Sequence, residues 1–395
     1  MNRLHRRRFL ASLTGLITLG GCGPLFAAVP NDPAQQAKIE RFIKQLGARK
    51  FHTRQVASQK LIALGDAALP ALRRAANTSA DPEVRRRARQ IVAAIDRARQ
   101  PAYRCLPGHD NAVAIVAFAP NGRHVASGSD DGTVRVWNVA TGRLTWRSHA
   151  PLDWVRGLAW MPDGRQLVTT SWDHTIRLWD AAKGTELAQL PRQARPVRTV
   201  AVSADGQLIL WGGNDKTARV WNLLLGREVA CFRGHHEAVT SVALTRDGRY
   251  AASAARGRDD GVRVWEVRTG KQIAHCPSRG DGLPVVALAP DGRTLVSADG
   301  ASDFALWDAH TGHLRRLFSG PRGAVRAVAF SPDGRRVLSG HDNNEIMLWD
   351  AASGKDMTTL TGHRLAVCSV AFSADGHYAA SGSEDRTVRL WRLPP

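Results

Sequence analysis

The spacing of apolar residues changes partway along the chain. Between residues 34 and 99 they recur on one face of a helix, as with Ile39, Phe42 and Leu46. Over 102–395 short β-branched runs alternate with Asp-Gly and Asn-Gly turns, which are typical of β-hairpins. The pattern therefore predicts a small helical domain followed by a larger, mainly β domain.

Four helices are predicted in the first domain. We expect the second to end at Gly65, the third to span 67–76, and the fourth to begin after the N-cap Asp81. The stretches 64–72 and 81–88 resemble HEAT-like repeats, in which paired helices stack over a shared apolar face. Four arginines of the fourth helix face outward. They form either a solvated surface or a contact with anionic lipid or an acidic partner.

The β domain is built from a repeat that is marked by tryptophan. Each tryptophan ends a β-branched run such as Thr133–Trp137, which follows an apolar run and a turn such as Ser331–Gly334. A fourth, shorter strand comes next, as in Glu186–Leu190. Four short antiparallel strands at this period are typical of propeller blades. The tryptophans, spaced by 42 or 44 residues, are Trp137, Trp179, Trp221, Trp265, Trp307, Trp349 and Trp391.

These motifs resemble those of the WD-repeat family over about 290 of the 395 residues. The Trp-Asp pair itself stands at 179–180, 307–308 and 349–350. The resemblance implies a mainly β fold, a seven-bladed β-propeller preceded by the small α-helical HEAT-like domain. The last repeat ends at Trp391 without an outer strand, so we expect 102–106 to supply that strand and close the ring.

The resemblance also implies a structural set of His, Ser or Thr, Asp and Trp in each blade. Such a set gives buried polar groups their partners. A Ser/His/Asp combination also suggests a hydrolase, but its recurrence in four repeats, each time with a tryptophan, favours structure over catalysis. We therefore predict no catalytic residue. The matching sets are His109, Ser127, Asp131 and Trp137; His149, Thr169, Asp173 and Trp179; His235, Ser253, Asp259 and Trp265; and His363, Ser381, Asp385 and Trp391.

Three repeats depart from this set. The third has Gln193-Ala194 in place of Gly-His and Trp211 where serine is expected. The fifth and sixth lack the histidine and have Ala301 and Asn343 at the aspartate position. We expect these blades to be locally less rigid or adapted to a partner.

A partner is expected on a face of the ring, mostly through the loops at its narrow top. Trp154 and Trp172 lie in two such loops of the second repeat, and binding hot spots are rich in Trp and Arg. Alternatively, the two rings stack on each other and only cover the end of the blade. The candidate partner-binding residues are Trp154, Trp172, Arg195, Arg322 and Arg364.

The charge balance and the cysteine spacing bear on whether the chain binds nucleic acid, a metal or a cofactor. Lys and Arg outnumber Asp and Glu by 55 to 35, but residues 101–395 carry 36 against 29. Basicity invites nucleic acid or an anionic membrane, yet most of the excess precedes the propeller, so nucleic acid is not the expected partner. The five cysteines lack zinc-site spacing and no Gly-rich phosphate loop is present, so no metal or cofactor is predicted. We expect the last four cysteines to be small buried residues.

The N-terminus has the pattern of an export signal over 1–21, with a basic start and an apolar run, Phe9–Leu19. Residues 6–10, Arg-Arg-Arg-Phe-Leu, resemble the twin-arginine export motif, although His5 stands where Ser or Thr is usual. Leu-Gly-Gly before Cys22 resembles a bacterial lipobox, which implies a lipidated Cys22 followed by a linker over 22–33.

The leading interpretation is an exported, non-catalytic interaction scaffold of the cell envelope or periplasm. It would be held at the membrane through Cys22 and would bind a protein or peptide on the propeller face, as a monomeric propeller within a larger complex. One alternative is a cytoplasmic WD-repeat scaffold. The other is a periplasmic enzyme, or a subunit of one, that uses the propeller to bind substrate.

Overall fold

The computed structural model divides into two compact units, Met1–Arg99 and Gln100–Pro395. The predicted signal segment and Cys22 lie outside the described residues. Those residues are 33–48, 50–99, 103–148, 153–257, 260–280, 282–319 and 323–394.

The first unit is helical, and a 3-10 turn at Gly65–Ala68 joins its second and third helices. Its core consists of fully buried apolar residues from all four helices, among them Ile39, Leu61, Leu72 and Ala88. No described helix has the length and apolar character needed to cross a bilayer. The helices are α1 (Pro33–Gln45), α2 (Phe51–Leu64), α3 (Leu69–Thr78) and α4 (Pro82–Arg99).

Two helix boundaries can be compared with the prediction. Helix α3 begins at Leu69 rather than at residue 67, because the chain first makes the 3-10 turn. Pro70 then occupies the first turn, where a missing backbone N–H costs little. The start of α4 is as predicted, since the Asp81 carboxylate accepts the backbone N–H of Glu83 at 2.8 Å.

Part of the arginine cluster on α4 is paired within the helix. The carboxylate of Glu83 lies 2.9 Å from Arg86 and 2.7 Å from Arg87, one turn further along. The hydrogen bonds from these two guanidinium groups lower the pKa of Glu83 to about 2. These contacts favour the interpretation of this surface as a solvated helix face.

The second unit consists of seven four-stranded antiparallel sheets, the blades. Strand β1 (Tyr103–Pro107) belongs to blade 7. Blade 1 has β2 (Val113–Phe118), β3 (His124–Ser129), β4 (Val134–Asn138) and β5 (Leu144–Arg147). Blade 2 has β6 (Val155–Trp160), β7 (Gln166–Ser171), β8 (Ile176–Asp180) and β9 (Glu186–Gln189). Blade 3 has β10 (Val197–Val202), β11 (Leu208–Gly213), β12 (Ala218–Asn222) and β13 (Arg227–Phe232).

The remaining blades continue in chain order. Blade 4 has β14 (Val239–Leu244), β15 (Tyr250–Ala255), β16 (Gly261–Glu266) and β17 (Gln272–Cys276). Blade 5 has β18 (Val285–Leu288), β19 (Thr294–Ala298), β20 (Asp303–Asp308) and β21 (Leu314–Ser319). Blade 6 has β22 (Val325–Phe330), β23 (Arg336–His341), β24 (Ile346–Asp350) and β25 (Asp356–Leu360). Blade 7 has β26 (Val367–Phe372), β27 (Tyr378–Ser383) and β28 (Thr387–Arg392), with β1 outside them.

The ring closes through β1, as the sequence predicts. This strand pairs antiparallel with β28, and Leu106 lies opposite Val388. On the inner side, the backbone N–H of Val116 in β2 donates to Ser369 Oγ in β26 at 3.1 Å. The first and last blades are therefore joined at both their inner and outer strands. Together with the seven sheets, this closure confirms the predicted mainly β, seven-bladed fold.

Neighbouring blades pack through the repeated tryptophans. Trp179 of blade 2 is buried in one cluster with Val134 and Val136 of blade 1. Such clusters recur around the unit and bury the sheet faces that a single blade would leave exposed. Packing between neighbouring blades therefore stabilises the ring.

The four cysteines of the propeller are unpaired. Cys276 is buried as expected, whereas Cys231 and Cys368 are half-buried. The prediction is wrong for Cys105, which is exposed. It lies on the outer edge strand β1, and its side chain points away from the face that buries Leu106.

Candidate functional site

The hydrogen-bonded set of blade 1 is complete. The indole Nε1–H of Trp137 donates to Ser127 Oγ at 2.9 Å. That hydroxyl lies 2.8 Å from Nε2 of His109, and Nδ1 of His109 lies 2.8 Å from the Asp131 carboxylate. One consistent assignment has the serine donating to Nε2 and the histidine donating from Nδ1.

Blade 7 repeats this geometry. Trp391 Nε1–H donates to Ser381 Oγ at 2.8 Å, and the same hydroxyl lies 2.7 Å from His363 Nε2. His363 Nδ1 lies 2.8 Å from the carboxylate of Asp385. Because β1 leads from blade 7 into blade 1 and the inner strands of the two blades are in contact, two complete networks flank the closure of the ring.

Burial and hydrogen bonding set the charges of these networks. Burial lowers the pKa of both His109 and His363, although the neighbouring carboxylates oppose the shift. For Asp131, burial acts to raise the pKa, but hydrogen bonds from His109, Thr133 and the backbone hold it well below its usual range. We infer neutral histidines beside ionised aspartates at neutral pH.

The serines of these networks are inaccessible. Ser127, Ser253 and Ser381 each have 0% of their surface exposed. A nucleophilic serine must reach a substrate carbonyl, and these hydroxyls are instead held between an indole and an imidazole. The arrangement satisfies buried polar groups and does not present a reactive one.

The set of blade 4 was predicted with Asp259 as its carboxylate. Asp259 lies outside the described residues, and the buried carboxylate of this blade is Asp260, which accepts the backbone N–H groups of His236 and Glu237 at 2.9 and 2.8 Å. The described carboxylate that binds the loop before β14 is therefore Asp260, and Asp259 stays a prediction. The two residues sit in the loop before β16, which the repeat spacing makes two residues longer than in other repeats.

The histidine of this blade is also less well paired. His235 Nε2 lies 2.7 Å from Ser253 Oγ, but Nδ1 is 3.7 Å from Asp260 and has no hydrogen-bond partner in the described part of the chain. Burial lowers the pKa of His235 to about 4. This imidazole is therefore neutral under physiological conditions.

In blade 2 the threonine, the aspartate and the tryptophan of the set lie among the described residues. Trp179 Nε1–H donates to Thr169 Oγ1 at 2.8 Å. Asp173 accepts the hydroxyl of Thr175 at 2.6 Å and lies 3.2 Å from Arg177. The predicted His149 lies outside the described residues.

Blade 6 contains a histidine that the sequence comparison missed. His341 Nε2 lies 2.8 Å from Ser339 Oγ, which accepts Trp349 Nε1–H at 2.7 Å. His341 follows the serine by two positions on β23, where three other blades have Ser129, Ser171 and Ser383. The sequence signal that could have identified His341 is a histidine at the position where these blades have a serine.

Blades 3 and 5 also differ in detail. In blade 5, Trp307 Nε1–H donates to Ser297 Oγ at 2.8 Å. Asp299 accepts the backbone N–H of Gly280 at 2.7 Å and that of Arg279. In blade 3, Trp211 is buried in the apolar cluster at the position of the serine. Blades 5 and 6 thus have substitutes for part of the set, and blade 3 replaces its hydroxyl by packing.

The loops that carry the histidines and aspartates of these sets form the top face. There, the rings of Trp154 and Trp172 lie against each other, with their centroids 4.6 Å apart and their planes inclined by 43°. The guanidinium of Arg156 lies over Trp154 at 5.1 Å, and that of Arg198 lies over Trp172 at 5.2 Å. Trp154 remains 38% exposed. The two indoles therefore lie against each other on the top face, each beside one guanidinium, and Trp154 keeps an accessible surface.

The predicted arginines of the top face have different surroundings. Arg195 and Arg364 are exposed, and Arg322 lies outside the described residues. Arg195 lines a cavity of about 660 Å³ between the ends of blades 2, 3 and 4. Four of the described lining residues are cationic and one is an acid, so we name this cavity the basic pocket. These residues are Arg195, Arg198, Lys216, Arg256 and Glu237.

The chain matches the family described as WD domain, G-beta repeat over six stretches, which together make up more than half of its length. The stretches are 101–138, 142–180, 184–222, 226–266, 312–350 and 354–392. The part left unmatched contains most of blade 5, which lacks the histidine and has Ala301 at the aspartate position.

Individual relatives are similar over much shorter lengths. A ribosome biogenesis protein, erb1, of Neurospora crassa is 62% identical over 39 residues, which is 10% of this chain and 5% of that protein. A BOP1 homolog of Drosophila virilis, also a ribosome biogenesis protein, is 47% identical over 53 residues, 13% of this chain and 7% of its own. The nuclear distribution protein PAC1 of Coccidioides posadasii is 43% identical over 61 residues, 13% of each. The chain thus spans only a small part of these relatives.

Proposed function

This chain belongs to the WD domain, G-beta repeat family, and we propose that it is a non-catalytic scaffold that binds a protein or peptide on the top face of its propeller. The observation that carries the proposal is the complete burial of the serines in the Ser/His/Asp sets. These polar residues stabilise the fold. The exposed loops of the top face, whose side chains differ from blade to blade, are therefore the surface available to a partner.

Two of the propeller cysteines support a role without covalent catalysis. Burial raises the pKa of Cys276 to about 12 and that of Cys368 to about 11. The thiolate is the reactive form of cysteine, so neither side chain is a nucleophile at neutral pH. The alternative of a periplasmic enzyme requires an accessible reactive group, which neither the described serine sets nor these two thiols provide.

Affinity capture with the full chain tests the proposal. Wild type should retain a protein partner that the variant Trp154→Ala/Trp172→Ala retains several-fold less, because the change removes two indoles and the ring beside each of Arg156 and Arg198. Leu224→Ala is the matched control, since this side chain is 80% exposed on a hairpin away from the top face. Equal capture by all three proteins would contradict a top-face site on blade 2.

We further propose that residues 1–22 direct export and that Cys22 carries the lipid anchor. The support is the basic and apolar pattern of 1–21 and the Leu-Gly-Gly-Cys sequence. The relatives favour the cytoplasmic alternative instead, since their names refer to ribosome biogenesis and nuclear distribution. Each of these relatives matches little more than one repeat.

The substitution Cys22→Ser separates the two locations. We expect wild type to enter the membrane fraction and to incorporate a labelled fatty acid, and we expect the variant to do neither, because two acyl chains give firm attachment. Cys105→Ser controls for labelling at another exposed thiol. If Cys22→Ser is labelled and fractionates like wild type, the lipid anchor at Cys22 is wrong. If wild type itself is unlabelled and stays in the cytoplasmic fraction, export is wrong and the cytoplasmic alternative stands.

A further inference from the structure

One repeat position at the top of the inner strands carries arginine in three blades. Arg156, Arg198 and Arg326 are each the second residue of their strand, β6, β10 and β22. The position just before the aspartate of the set holds a matching polar residue in the loops nearby. It is Asp130 in blade 1, Asn214 in blade 3 and Glu384 in blade 7.

Two of these arginines are neutralised. Arg156 lies 2.8 Å from the carboxylate of Asp130, and Arg326 lies 3.1 Å from that of Glu384. Arg198 donates instead to the amide oxygen of Asn214 and forms no ion pair with a carboxylate in the described part of the chain. At this repeat position, two of the three arginines are therefore paired with a carboxylate, and Arg198 is paired only with a neutral amide.

The uncompensated guanidinium lines the basic pocket. Lys216 lies 3.6 Å from Glu237, which offsets one of the four cationic lining residues. Arg195 and Arg256 are exposed and Arg198 is half-buried, so three guanidinium groups remain without a described carboxylate partner. Burial and the nearby charges of Arg156 and Arg256 lower the pKa of Arg198. An anion in the pocket would relieve this repulsion.

We propose that the basic pocket binds an acidic segment of a partner peptide, with Arg198 as its central contact to a carboxylate. The proposal rests on the scaffold function above and names the chemistry of the partner. Guanidinium groups hold carboxylates through paired, charge-assisted hydrogen bonds. The Trp172 ring lies 5.2 Å from the Arg198 guanidinium on one side of it, and Trp154 packs against Trp172.

The size and charge of the surroundings favour a short acidic peptide over nucleic acid. The pocket is about 660 Å³, which accommodates a few side chains. Residues 101–395 carry only a small excess of Lys and Arg, 36 against 29 acids. Nucleic acid is bound through an extended track of phosphate contacts. Here the unpaired positive charge is confined to one pocket.

Fluorescence anisotropy of the full chain with a labelled poly-glutamate peptide tests the proposal. Poly-glutamine of equal length is the control peptide. Wild type should bind poly-glutamate, and more tightly at low salt. Arg198→Gln and Asn214→Asp should each weaken binding about tenfold or more, because the first removes the cation and the second supplies an internal carboxylate.

The substitution Asn214→Asp is the sharper of the two. It keeps every arginine and reproduces an arrangement that blades 1 and 7 already tolerate, in which an acid precedes the aspartate. Arg326→Gln is the matched control, since that arginine is already paired with Glu384, and it should change affinity by less than about twofold. Unchanged thermal unfolding of each variant shows that the fold is intact.

Several results would overturn the proposal. One is equal binding of poly-glutamate by wild type and Asn214→Asp. The others are binding of poly-glutamine as tight as that of poly-glutamate, and tighter binding of single-stranded RNA that the same substitutions weaken.

The capture experiment separates failure of the acidic-segment proposal from failure of the scaffold function. A partner retained equally by wild type and Asn214→Asp, but lost with Trp154→Ala/Trp172→Ala, contradicts only the acidic-segment proposal. Capture of nothing by wild type contradicts the scaffold function itself.

Discussion

Replacing Leu106 with aspartate should destabilise the propeller by at least about 4 kcal/mol, the largest effect expected of a single substitution here. Leu106 is 1% exposed on β1, in one cluster with Trp137 of blade 1 and Val388 of blade 7. The change removes this apolar contact and places a charge at the closure of the ring. We expect β1 to leave β28 and the unfolding transition to broaden or split.

Cys105→Asp is the matched control for this result. It introduces the same charge on the same strand, but at an exposed position, and should change stability by no more than about 0.5 kcal/mol. Denaturant unfolding followed by circular dichroism measures both variants in the full chain. Similar midpoints for the two would show that β1 does not hold the ring closed.

Replacing Trp349 with alanine should cost about 3–5 kcal/mol, the second largest effect. Its side chain is 2% exposed and meets the stacked rings of Phe304 and Phe318 edge to face, at 5.4 and 5.9 Å. The two phenylalanines belong to blade 5, so this tryptophan joins blades 5 and 6. The loss combines a cavity between blades with a hydroxyl that no longer receives its indole N–H.

A second substitution at this position separates packing from hydrogen bonding. Trp349→Phe keeps much of the apolar contact but leaves the Ser339 hydroxyl without the indole donor, and should cost about 1–3 kcal/mol. Trp154→Ala, at a 38% exposed position, should cost less than either. If Trp349→Ala were no more destabilising than Trp154→Ala, packing between blades would not be the main source of stability.

Most of the propeller follows from the sequence because its pattern is repeated. Seven tryptophans in register define the third strand of every blade, and the turn residues around Gly122 and Gly334 define the hairpins, where both glycines adopt φ near 70°. The closing strand could be deduced from what the last repeat lacks. The start of α3 could not, because local propensity does not distinguish a 3-10 turn from a first helical turn.

The candidate site was less predictable, because the position of a residue in the repeat does not settle which side chains meet. In blade 4 the described buried carboxylate is Asp260, next to the predicted Asp259. In blade 6 the histidine of the set is His341 on β23, whereas blades 1 and 7 carry theirs in the loop before the inner strand. Both depend on which side chains meet in space rather than on their order in the repeat. The same holds for Arg198, since only the contacts show that it alone of three equivalent arginines lacks a carboxylate.

Hydrogen–deuterium exchange of the full chain, with and without the captured partner, tests the scaffold account most directly. Binding at the top face predicts slower exchange in the loops at 172–174, 195–198, 214–217 and 237–240, with the hairpin turns of the opposite face unchanged. Protection confined to the opposite face or to the helical unit would contradict the account, since the partner would then be bound by a surface other than the one the propeller presents.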